Sequence, residues 1–225
     1  MAIGYDAERM VVIPGGFDVA ALTADAAQRT ALRSSCGWTS AEVVIGFVGR
    51  FNHYKDPGNF MRAAAYVVGR CQHARFLMVG RGIDAGNPEM VKWVAKSGYP
   101  EHFVLLGERN DVTACLSAMD VFCLPSRSEA FPNVVGEAMA MGLPSAVTDV
   151  GDVAMLVADT GIVVKKEDSW ALAHALSELV EMSPEARAGM GSRARERVAK
   201  EFSMDRARGR IEAVYADVLA DKVSK

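Results

Sequence analysis

The 225-residue sequence predicts an α/β fold: one parallel sheet with helices on both faces, followed by a helical C-terminal extension. Three observations carry that expectation. Short apolar runs rich in β-branched residues recur along the chain, as strands covered on both faces require. Segments of helical periodicity alternate with them over short links, the pattern of a doubly wound sheet. From Ser169 onward only helical segments remain.

The first apolar run, Met10-Val11-Val12-Ile13, stops at Pro14-Gly15-Gly16. It reads as the last strand of a preceding unit or as a linker leaving one, with an edge strand of a complete small protein as the alternative. Val43–Val48 is a continuous strand-like run ended by Gly49. Pro57–Arg70 follows with Phe60, Ala63, Ala64, Val67 and Val68 on one helical stripe. A strand at Arg75–Val79, a helix near Pro88–Lys96 and a strand at Phe103–Leu106 come next. Asp111 is placed to cap a short helix reaching Ala118. Val121–Leu124 reads as a strand, and Asn133–Met141 as a helix stopped by Gly142. Ser145–Thr148 and Ile162–Val164 complete the sheet. Ser169–Glu181, Pro184–Phe202 and Met204–Val218 read as helices, with Ser183-Pro184 a capped start. The divisions expected are 1–40 as a connector and the start of the unit, 41–202 as a Rossmann-like domain, and 203–225 as a terminal helix.

Composition narrows the function classes. Lys and Arg number 25 against 28 Asp and Glu, a net charge of −3 that argues against a nucleic-acid binder. The apolar runs are too short to span a bilayer, and Asp6, Glu8 and Arg9 do not suit a signal peptide. Four cysteines without a CxxC pair suggest a reduced, cytoplasmic setting. His53, His73, His102 and His174 lack ligand spacing, and Asp149 or Asp152 alone is a weak cation signal, so no metal site is expected.

Parallel sheets bind ligands beyond the carboxyl ends of their strands, and the residues there are distinctive. After the first strand, Gly49 lets a ligand approach the backbone, while Arg50 and Lys55 supply a planar fork and a point charge suited to a diphosphate. Gly80-Arg81-Gly82-Ile83-Asp84-Ala85-Gly86 has GxGxxxG spacing and follows the second strand, which disfavours a dinucleotide cofactor. Gly107-Glu108-Arg109-Asn110-Asp111 is a third polar loop. The densest cluster follows the fourth strand: Glu129 in the loop, Glu137 about one turn into the next helix, and between them a helix start able to take an anion. Carboxylates for hydroxyls and amides for a diphosphate together describe a sugar nucleotide.

Pro125-Ser126, Glu129-Ala130-Phe131-Pro132-Asn133 and Glu137-Ala138-Met139-Ala140-Met141-Gly142-Leu143-Pro144, with Arg50 and Lys55 upstream, resemble the C-terminal domain of retaining GT-B glycosyltransferases of family 4, the "glycosyl transferases group 1" type. The resemblance implies that Arg50 and Lys55 hold the donor diphosphate and stabilise the departing nucleoside diphosphate. It implies that Glu129 contacts sugar hydroxyls, with the backbone of Ala130, Phe131, Asn133 and Val134 around sugar and phosphate, and that Glu137 binds the ribose. Arg109 and Asn110 would lie beside the base. No cofactor or divalent metal is implied; the nucleotide-diphosphate sugar, UDP- or GDP-type, is a substrate. His53 and Tyr54 depart from the family pattern, which leaves the acceptor-side chemistry of that loop open.

The family likeness further implies an N-terminal acceptor-binding lobe that this chain lacks, toward which the final helix would cross. The expected activity is hexose transfer to a glycan or lipid-linked acceptor in bacterial surface polysaccharide synthesis, in the cytoplasm and with peripheral association of the full-length enzyme at the inner membrane face. The competing expectation is a non-catalytic nucleotide-sugar-binding domain or a degenerate partner subunit.

Overall fold

The computed structural model describes residues 10–223, with side chains to residue 220. Six strands form the sheet: β1 (Val43–Val48), β2 (Ala74–Val79), β3 (Phe103–Leu105), β4 (Val121–Leu124), β5 (Ser145–Thr148) and β6 (Ile162–Val164). Every pairing is parallel and the order is β3-β2-β1-β4-β5-β6. The chain thus winds outward from β1 on one side, then returns to lay β4 against its other side. That reversal leaves a crevice between the loops after β1 and β4.

Neighbouring residues of a strand serve opposite faces, as the period of two demands. Val121 and Cys123 join one core with Ile45, Phe47, Phe76 and Met78, while Phe122 and Leu124 join the other with Val44, Leu77 and Val147. The first core is closed by α2 (Pro57–Arg70), α3 (Pro88–Lys96) and α7 (Ser169–Glu181). The second is closed by α4 (Val112–Ser117), α5 (Asn133–Ala140), α6 (Val153–Val157) and α8 (Pro184–Glu201). The central runs β1 and β4 are hydrophobic with only Gly46 between because both their faces are covered.

Two helices escape periodicity. α6 is five apolar residues with no polar face, and α1 (Ala26–Ser35) has a single large apolar residue, Leu32, which packs on the second core. Charge adds to that apolar contact in holding α1 in place. Buried Arg33 donates through Nη1 to Asp120 Oδ2 at 3.0 Å and through Nη2 to Thr39 O at 2.8 Å. Arg29 joins the same carboxylate, which also accepts from Val44 N at 2.8 Å. One aspartate before β4 thereby fixes α1 and the first residues of β1. Loss of one partner from such a cluster leaves a buried charge unpaired, which is the costly case.

The Met10–Ile13 run forms no strand. Met10, Val11 and Val12 are exposed, and regular contact begins at Phe17, which bridges Ser203 in parallel. Three β-branched or apolar residues without a free sheet edge beside them have nothing to pair with. The terminal helix α9 spans Met204–Val223, longer than its pattern suggested. Met204, Ile211, Tyr215, Val218 and Leu219 are exposed along it. Among the described residues no helix is long and apolar enough to cross a membrane.

Backbone contact also shapes the second core. A Cβ on buried Gly191 of α8 would lie 1.8 Å from the carbonyl oxygen of Gly142, which ends α5 at φ +77°. Gly189, two residues earlier on α8, has open space around it. Gly191→Ala should therefore destabilise by about 1–3 kcal/mol through overpacking. Gly189→Ala should instead stabilise by about 0.5–1 kcal/mol through the helix entropy alone. Thermal midpoints moving roughly 2–4 °C per kcal/mol, in opposite directions, would be the signature; equal shifts would contradict the packing.

Candidate functional site

The glycine loops after β1, β2 and β3 are joined into one shelf. Gly49 N donates to Val79 O at 2.9 Å, Phe51 N to Arg81 O at 2.8 Å and Gly80 N to Gly107 O at 2.7 Å. Gly80 takes φ +142°, and a Cβ there would lie 2.0 Å from the Gly49 carbonyl oxygen. Only glycine permits this approach. The loops after β4 and β5 are joined in the same way. Asp152 N donates to Ala130 O at 2.9 Å, and a Cβ on Gly151 (φ +53°) would lie 2.2 Å from Glu129 O.

Across the crevice between these two shelves, Lys55 Nζ donates to Glu129 Oε1 at 2.6 Å. Both side chains are largely shielded, 22% and 10% exposed, so the pair lies in the crevice floor rather than on open surface. Ser126 Oγ donates to the same oxygen at 2.6 Å, and Thr148 Oγ1 donates to Ser126 O at 2.7 Å. Glu129 is therefore held from β4 and β5 and met from β1. Arg50, at the end of β1, is exposed and has neither an ion pair nor a hydrogen-bonded side chain among the described residues.

The helix start beside them is open. Side chains of Asp25, Asp56, Asn87, Asp168 and Ser183 cap α1, α2, α3, α7 and α8, whereas α4, α5 and α6 have no side-chain cap, and α5 follows Pro132, which has none to offer. Val135 N turns back to Pro132 O at 3.1 Å, while the amides of Asn133 and Val134 make no protein hydrogen bond among the described residues, the arrangement of helix termini able to take an anion. Asn133 is exposed there, Ala130 is exposed, and Val134 is half-buried. Phe131 turns away from the crevice, stacking on Phe17 at 5.9 Å and meeting Phe202 at 6.0 Å. Glu137 is half-buried in α5 without a side-chain partner, and desolvation holds its carboxyl above the ordinary carboxylate range.

Other expected residues are arranged differently. Arg109 pairs with Asp111 two residues on, at 2.5 Å, and Asn110 is exposed beside it. That pairing corrects the expected helix cap: Asp111 makes no cap hydrogen bond to α4, because its oxygens are taken by the guanidinium. Arg81 is likewise matched by Glu108 at 2.9 Å. Of these loop cations, Arg50 alone lacks a carboxylate partner. The sequence reading gave no role to Ser126, Asp56 or Arg127. Asp56 is buried, caps α2 by accepting from Asn59 N at 3.0 Å, and faces Arg127 Nε at 2.7 Å. A signal for it existed in Asp-Pro-Gly, a strong helix-start sequence.

Known proteins with this architecture and these loops are informative. The "Glycosyl transferases group 1" family model matches residues 42–182, more than half of the chain. A D-inositol 3-phosphate glycosyltransferase of Corynebacterium aurimucosum is 30% identical, over 97% of this chain and 54% of its own length. The lipopolysaccharide core biosynthesis mannosyltransferase LpsB of Rhizobium meliloti is 26% identical, over 85% of this chain and 56% of its own. The chain thus spans about half the length of the curated relatives it matches. HepE of Anabaena, solved in complex with UDP and glucose, superposes with a TM-score of 0.84 at 23% identity, over 95% of this chain and 59% of that one. The sheet order, the loop shelves and the matched segment agree: the chain belongs to the glycosyl transferases group 1 family.

Proposed function

We propose that this chain is the donor-binding half of a retaining glycosyltransferase, moving a hexose from a nucleotide-diphosphate sugar to a glycan or lipid-linked acceptor. The observation that carries the reading is the Lys55–Glu129 pair in the crevice at the sheet's reversal, beside an uncapped helix start and the unpaired Arg50. The UDP and glucose of the HepE complex support the ligand class, and LpsB supports a role in surface polysaccharide assembly. On this reading the acceptor comes from a second, N-terminal lobe, in keeping with relatives about twice as long. The work is done in the cytoplasm, with peripheral association at the membrane face where lipid-linked acceptors lie.

The chemistry follows from charge. As the bond from anomeric carbon to phosphate oxygen lengthens, positive charge grows on the sugar and negative charge on the departing diphosphate. Arg50, Lys55 and the α5 amides meet the negative charge from fixed positions, which lowers the barrier more than it favours the bound substrate. Lys55 and Glu129 satisfy each other across the crevice. With donor bound, Lys55 turns to phosphate and Glu129 accepts from sugar hydroxyls, so the pair keeps the site organised until the substrate replaces it. Glu137 accepts from the ribose, and Arg109 and Asn110 flank the base.

Titration of the chain with UDP, GDP and ADP, followed by thermal denaturation, tests the binding half. A ligand at 100 times its dissociation constant adds about 2.7 kcal/mol. A base-selective rise in the midpoint, lost in Arg50→Ala and Glu137→Ala, is expected; retention in both variants would overturn the assignment. In the two-lobed enzyme, Lys55→Ala should lower kcat by about 10²–10³, the usual loss for one preorganised donor.

Glu137 also gives a pH test. Burial raises its pKa, so between the ordinary value and the raised one the fold holds a proton the unfolded chain has lost, and stability falls as pH rises through that interval. Above it the deficit persists. Glu137→Gln should therefore melt higher than wild type at neutral pH, lose this advantage below the ordinary carboxylate range, and bind nucleotide more weakly. A pH-independent difference would contradict the burial of the charge.

A further inference from the structure

Arg127 lies between Ser126 and Glu129 in sequence and joins three loops in space. Its backbone N–H donates to Tyr54 O at 2.8 Å. Its Nε faces Asp56 Oδ2 at 2.7 Å, and its Nη1 reaches Glu167 Oε1. Its own carbonyl accepts from Lys166 Nζ at 3.4 Å. The contacts therefore run from the β4–α5 loop to the loop after β1 and to the loop after β6.

Both carboxylates it holds sit on strained backbone. Asp56 has φ 43° and Glu167 has φ 61°, two of the three non-glycine residues at positive φ among those described. Such conformations persist where surrounding contacts over-determine them. Asp56 directly follows Lys55, so its left-handed turn sets the direction from which the lysine enters the crevice. Asp56 is also buried, with its other oxygen committed to the α2 cap, so Arg127 is the cation that answers its charge. A guanidinium fork can serve two carboxylates at once, which an ammonium on the same stem does poorly.

We infer that Arg127 is a positioning residue of the donor site. By clamping Asp56, Tyr54 and Glu167 it sets Lys55 against Glu129 across the sheet's reversal, without itself being required to touch the substrate. The inference rests on the donor-site reading for its effect on ligands, but the clamp itself is visible without any ligand.

Calorimetric titration with UDP and amide hydrogen exchange test it together, on wild type, Arg127→Gln, Lys55→Ala and the double variant. In Arg127→Gln, UDP affinity should fall about tenfold, while the double variant should bind no more weakly than Lys55→Ala, because one residue acts through the other. Without ligand, exchange should quicken across 50–56 and 165–168 and stay unchanged in α8, whereas general destabilisation would speed both. Additive losses in the double variant, or unchanged exchange in 50–56, would overturn the inference. If Arg127→Gln fails to fold, Arg127→Lys and the exposed Glu167→Gln take its place; each should weaken UDP binding about two- to threefold and quicken exchange in 165–168, and wild-type behaviour in both would again overturn it. Absence of UDP binding in wild type would count against the donor-site reading, and exchange in 50–56 would still decide the clamp.

Discussion

Six parallel strands put every strand's carboxyl end on one edge, and the placement of β4 beside β1 decides what meets there. Had the chain continued past β3, the loops carrying Lys55 and Glu129 would lie several strands apart. The β1–β4 pairing instead makes them neighbours, in register from Ile45↔Val121 to Phe47↔Cys123. Asp120 guards that pairing from the other end. Its carboxylate holds Val44 N, Arg29 and Arg33, so the strand register and the seat of α1 depend on the same charge cluster. Register matters because a one-residue slip would send each core side chain to the wrong face.

The edge of the sheet is electrostatically sorted. Arg81 is balanced by Glu108 of the adjoining loop and Arg109 by Asp111 of its own, at exposed positions where such pairs contribute little to stability. Nearer the reversal the pairs are shielded, and they span the crevice: Lys55 with Glu129, Asp56 with Arg127. Arg50 stands beside them without a partner. The result is a site whose cations are few and concentrated beside the start of α5.

Much of this was legible before the structure. Continuous runs such as Val43–Val48 and Val121–Leu124 could be read as strands because parallel sheets bury both faces. α2 and α7 could be read because each has an apolar stripe and a capping residue. α1 could not, since it is seated by Arg29 and Arg33, and arginine carries no periodic signal. α6 is too short to show a period. At the site, residue chemistry was legible and pairing was not. Nothing in the sequence says that Asp111 will turn to Arg109 instead of α4, or that Arg127 will face Asp56 across the crevice. Such choices depend on distances between loops that are far apart in the chain.

Phe17 adds a mechanical consequence. Its N–H donates to Phe202 O and its carbonyl accepts from Met204 N, while Gly136 leaves the space its ring occupies. The two ends of the sheet domain are thus sewn together beside the start of α5, and Arg195 of α8 adds stitches to Val19 O at 2.9 Å and Leu22 O at 2.6 Å. A pull applied through both ends would load this short seam in shear and leave the six strands slack.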